Sequence, residues 1–212
     1  MGDNKGYKVV AIFALILGVV GVTLGYAAFS STLTISSSAE VTPDSSTFNV
    51  DFSTSSSSVV TDPVVPTLSP ASGFTATNGT IDNTTDPVIT GLKATFTEPG
   101  QSATYSFYSY NAGQYLAYLN SIVFDGTKTC TAKTGTTQAL VDSACTGITL
   151  SVQVGSEAAT TTSVASISNH TLAKATGEAV VVTISYEAGS ALADGDFDVT
   201  LPDIVLTYDS AD

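Results

Sequence analysis

Few residues of this chain could do chemistry. His170, in the run SNHT, is its single histidine. Without a second histidine there is no HExxH helix to hold zinc and place a general base. No GxSxG elbow, glycine-rich phosphate loop or closely paired cysteine motif occurs. Asp194, Asp196 and Asp198 alternate in DGDFD and share one face of an extended strand. Hard carboxylate oxygens at that spacing suit calcium, but the glycine and closing glutamate of a calcium loop are missing. A solvated hairpin is the plainer reading. No catalytic residue, metal or cofactor is therefore assigned, and the chain reads as a non-enzyme.

Cys130 and Cys145 enclose a polar segment. In an oxidising compartment they are expected to join and staple a surface hairpin, a bridge worth about 3 kcal/mol. The alternative is two thiols that never meet. Asn78, Asn83 and Asn169 each begin an N-x-Ser/Thr triplet and read as exposed loop residues.

The elements that would carry these residues are mostly strands. Leu92, Ala94 and Phe96 alternate, then Glu98-Pro99-Gly100 makes a turn. Ala103, Tyr105 and Phe107 alternate next, and Asn111-Ala112-Gly113 turns the chain again. Leu116, Tyr118, Ile122 and Phe124 supply a further strand, and Ile148, Leu150, Val152 and Val154 another. AVVVTISY, residues 179–186, is rich in β-branched residues. One last strand runs from Phe197 to Tyr208, its parity shifted at Pro202 by a bulge or an edge position. Residues 53–87, rich in Ser and Pro, read as a long surface loop with one short edge strand. Residues 156–178 read as a short helix or an irregular crossover. Eight or nine strands with turns between them predict an all-β fold. The expected form is an antiparallel, jelly-roll-like β-sandwich preceded by one N-terminal hydrophobic helix.

Composition agrees with an exported protein. Of 212 residues 43% are hydrophobic, enough for a core. Only 12% are charged, against roughly 25% in an average soluble protein. The net charge of −13 repels phosphate backbones, which argues against a nucleic-acid partner.

Residues 9–29, VVAIFALILGVVGVTLGYAAF, hold no charge, and Lys5 and Lys8 stand before them. As a helix the run is about 30 Å long, the thickness of a bilayer's hydrocarbon core. It is a signal peptide or a retained membrane-spanning helix, so the chain meets the membrane here before or without cleavage. Cleavage after Ala27 puts small residues at the usual sites; cleavage after Ala28 makes Phe29 the first mature residue. Phe29, Ser31, Leu33 and Ile35 then form one face of a period-two strand. Such a strand can pair with its own sheet or with the edge of a neighbouring copy. The organisation read here is residues 1–28 as signal or anchor, 29–47 as N-terminal strand and linker, and 48–212 as the sandwich domain.

The GYAAFS junction resembles the signal-peptide end of the TasA/camelysin family of Gram-positive bacteria. The segment from Leu92 to Phe124 is similar to that family in its order of Pro-Gly turn, aromatic strand, Asn-x-Gly turn and alternating strand. Pro99, Gly100, Tyr105, Phe107, Asn111, Gly113 and Ala117 stand at matching places. The long Ser/Pro segment, and residues 36–47 in place of a short link, depart from the family. Camelysins have been described as proteases, but the lone histidine does not carry that activity over. The resemblance implies a secreted or cell-surface structural subunit of a biofilm-matrix fibre, a homo-oligomer assembled by exchange of the N-terminal strand. Two other readings stand beside it. One is a type IV pilin-like subunit, cut after Gly6, with the hydrophobic helix in the filament core. The other is a membrane-anchored extracellular binding module.

Overall fold

The computed structural model describes residues 48–210. The expected N-terminal helix, the cleavage residues Ala27, Ala28 and Phe29, and the strand face Phe29, Ser31, Leu33 and Ile35 lie outside the described residues. Among the described residues fourteen strands and one helix follow in order. They are β1 (Val50–Ser53), β2 (Thr67–Ser69), β3 (Thr75–Thr77), β4 (Thr80–Asp82), β5 (Val88–Thr90), β6 (Lys93–Phe96) and β7 (Ser102–Asn111). Next come β8 (Ala117–Asp125), β9 (Thr129–Ala132), α1 (Gln138–Cys145), β10 (Ile148–Val154) and β11 (Thr171–Leu172). β12 (Gly177–Tyr186), β13 (Phe197–Thr200) and β14 (Asp203–Ser210) complete the order.

All strand pairs are antiparallel, but they divide among four sheets. One has the order β1-β7-β12-β10, with β2 also paired to β7; the others are β11-β8-β14, β3-β6-β13-β9 and β4-β5. This corrects the expected jelly-roll sandwich. Among the described residues no sheet closes into a sandwich or barrel, and the one helix there is internal. The physical reason is strand length. Many segments run only three or four residues before a Pro, Gly or Asp cluster interrupts pairing.

The long strands follow the alternation in the sequence. Ala103, Tyr105 and Phe107 of β7 are buried, and Val180, Val182 and Ile184 of β12 stand opposite them. Val152 and Val154 of β10 continue the same apolar face. Phe52 of β1 meets Phe107 edge-on, with ring centroids 5.4 Å apart. A second aromatic group joins the sheets: Phe96 and Phe197 both pack against Tyr186, and Phe74 stacks on Phe96. Such pairs add about 0.5–1.5 kcal/mol each beyond their buried area. At the turn before β7, Gly100 takes φ +95, as the Pro-Gly pair predicts. The buried amide of Gln101 then accepts from the Thr97 and Glu98 N–H groups and donates to Thr97 Oγ1.

Three segments differ from expectation, and a fourth takes the second of its two expected forms. Residues 53–87 carry β2, β3 and β4, and bury Val64, Phe74 and Ile81 in the core. Their serine run is held by Ser53, whose buried Oγ accepts from the Ser55 and Val60 N–H groups and donates to the Ser58 carbonyl. The polar segment between the cysteines contains α1, because Val141 and Ala144 fall three apart on one buried face. Pro202 does not bend one strand; it separates β13 from β14, which belong to different sheets. Residues 156–170 form no helix, crossing instead with isolated bridges from Thr160 to Val152 and from Val164 to Ile122.

Candidate functional site

An apolar cleft of about 290 Å³ opens between the central sheet and β14. Phe107 of β7, Val180 and Val182 of β12, Ile89 of β5, and Ile204 and Leu206 of β14 line it. Their direction follows from strand parity: Ile204 and Leu206 are half-buried, whereas Val205 between them is exposed. Behind Lys93, which lines the cleft, the buried Tyr105 phenol donates to the Lys93 carbonyl at 2.8 Å and accepts from the Lys93 N–H. Burial pushes that phenol up to about 12, so it stays a neutral donor.

The cleft lies beside an uncovered strand edge. β14 pairs with β8 on one side, and among the described residues no strand pairs with the other. Two outer strands of the central sheet, to which β14 does not belong, carry caps. Asn83 uses its side-chain amide as a substitute strand on β1, accepting from the Phe52 N–H and donating to its carbonyl. Thr160 exchanges both backbone bonds with Val152 of β10. On the neighbouring sheet Gln138 covers β9 in the same way, bonding the Cys130 carbonyl and the Ala132 N–H. An edge left open over eight residues beside apolar pockets can accept an extended peptide: backbone groups bind it and alternate side chains enter the cleft.

The residues singled out for chemistry fall elsewhere. Cys130 and Cys145 form a disulfide, Cα to Cα 6.0 Å, which fastens the end of α1 to β9. Asp194 accepts from the Thr137 N–H and hydroxyl, which hold its carboxyl below the usual range. Asp198 is paired with Lys93 at 2.7 Å and accepts from Thr95. Burial pushes the Asp198 carboxyl up, but Lys93, Thr95 and Lys133 outweigh it and hold it low. The three aspartates are thus drawn to separate partners or left apart, and among the described residues no His/Cys/Asp/Glu group is placed to hold a metal. Asn78 and Asn169 are exposed, as expected, whereas Asn83 is engaged at β1.

His170 is not isolated. Its buried ring sits between Glu157, with Nδ1 to Oε1 at 2.8 Å, and Glu178, with Nε2 to Oε2 at 2.5 Å. Tyr208 donates to the other Glu178 oxygen at 2.8 Å. The sequence reading missed both glutamates and the cleft. The one available signal was charge: Glu178 opens an otherwise apolar strand, where an ionised group needs a partner. Among the described residues no helix is long and apolar enough to cross a membrane. No family model matches the chain, nor does any curated protein or solved structure.

Proposed function

We propose that this protein is an exported structural subunit of a cell-surface or biofilm-matrix fibre, similar in design to the TasA/camelysin proteins. Residues 29–35 of one copy add to the open edge of β14 in the next. Phe29, Leu33 and Ile35 enter the apolar cleft, and the strand is removed from the membrane run by processing after Ala28. The observation that carries this reading is the unpaired edge of β14 beside the cleft, while Asn83 and Thr160 cap β1 and β10 of the central sheet. A strand given to the next copy makes a head-to-tail contact, which need not close on itself and so propagates a fibre. The exported location agrees with the disulfide and the sparse, acidic charge.

The test is assembly by protein recovered from the cell surface, followed by electron microscopy. Leu33→Asp on the donated strand and Leu206→Lys on the acceptor edge are each expected to abolish fibres, while circular dichroism keeps the β signal. Fibres of normal length in both variants would rule the exchange out.

A further inference from the structure

We propose that His170 is a proton-operated clamp. As the imidazolium it joins the loop carrying Glu157 to β12 through Glu178; on losing its proton it releases Glu157. The geometry requires the charged ring. A neutral imidazole has one N–H, whereas the cation has two. Both ring nitrogens face carboxylate oxygens, so with both glutamates ionised only the cation makes two hydrogen bonds. A deprotonated ring would turn a lone pair toward one carboxylate in a buried place. Glu157 is the partner that leaves, because its side chain is 35% exposed and can return to water, against 12% for Glu178.

The clamp lies where several elements meet. The His170 carbonyl accepts from Leu119 N–H of β8, and the next two residues are β11, paired to the start of β8. β12 presents Glu178, the loop after β10 presents Glu157, and β14 presents the Tyr208 phenol to Glu178. β7 presents Ser109, a buried hydroxyl beside Tyr208. The described ion pairs of Lys93 and Lys133 are both with Asp198, so neither lysine neutralises these carboxylates. Gly155 makes room for the arrangement: a Cβ there would stand 2.3 Å from Glu178 Oε2 and 3.0 Å from the ring. Burial lowers the basicity of the ring, but the hydrogen bonds and charges of both glutamates outweigh it and hold it above the ordinary histidine value of 6.5. The clamp is therefore fully closed below the ordinary histidine range and opens as pH rises through the raised value. It does not depend on what fills the cleft.

Because His170 is the only histidine, ring NMR of the full chain reads it without ambiguity. The expected midpoint lies above 6.5, with both ring nitrogens protonated at pH 6. Glu157→Gln, at a partly exposed position, is expected to lower the midpoint by about one pH unit, the effect of losing one nearby carboxylate. Hydrogen exchange in residues 156–172 is expected to quicken above the midpoint in the wild type, with no such step in His170→Gln. A midpoint at or below 6.5, a midpoint unmoved by Glu157→Gln, or equal exchange steps in wild type and His170→Gln would overturn the clamp.

Discussion

At the scale of single residues, buried polar atoms set the tolerance of the fold. Ser53 Oγ satisfies two backbone N–H groups and one carbonyl inside the serine turn. Ser53→Ala strands those groups, and unfolding in denaturant is expected to show a loss of about 1–3 kcal/mol. Gly155 holds φ +52, in the left-handed region, beside the His170 ring. Gly155→Ala adds strain of about 1–2 kcal/mol there and pushes the new methyl into Glu178. Its loss of stability should exceed that of an alanine placed at Gly189, where φ is also positive but the space is open. Such residues were the least legible from sequence. Ser53 is one serine in a run, and His170 finds its partners 13 and 8 positions away through folding that no local pattern announces.

At the scale of elements, what could be read was what repeats. The alternation of Ala103, Tyr105 and Phe107, and the β-branched run of β12, placed the buried face of the central sheet correctly. The Pro99-Gly100 turn also formed where its dihedral preferences put it. Segments of three residues, such as β2 to β4, are too short for periodicity to rise above chance. Pro202 carried a true signal with two meanings, a bulge within a strand or a break between sheets, and tertiary pairing decided for the break. The helix within the cysteine loop was hidden because its buried face is only Val141 and Ala144. Since the disulfide fixes that helix to β9, the Cys130→Ser and Cys145→Ser double variant is expected to lose about 3 kcal/mol, measured by denaturant unfolding.

At the scale of the whole molecule, stability follows from charge, and the proposed assembly from the open edge of β14. Asp194 and Asp198 have carboxyls held low by their partners, so their contribution is present above the ordinary carboxylate range and is lost as pH falls through the lowered values. His170 acts in the opposite sense and loses its contribution as pH rises through its raised value. Thermal unfolding across pH is therefore expected to show a plateau bounded by an acid limb from the aspartates and an alkaline limb from the histidine. The acid limb should weaken in Asp198→Asn, and the part of the alkaline limb below the tyrosine range should vanish in His170→Gln.

The open edge of β14 beside an apolar cleft is the feature on which the proposed fibre assembly depends. Strand exchange is tested most directly by a photo-crosslinking amino acid at position 33 in an equal mixture of unlabelled and ¹⁵N-labelled chains. Exchange between copies predicts products that join the two isotopic forms, with position 33 attached to Val180, Val182, Ile204 or Leu206. Products confined to single chains, or attached away from β12 and β14, would contradict it.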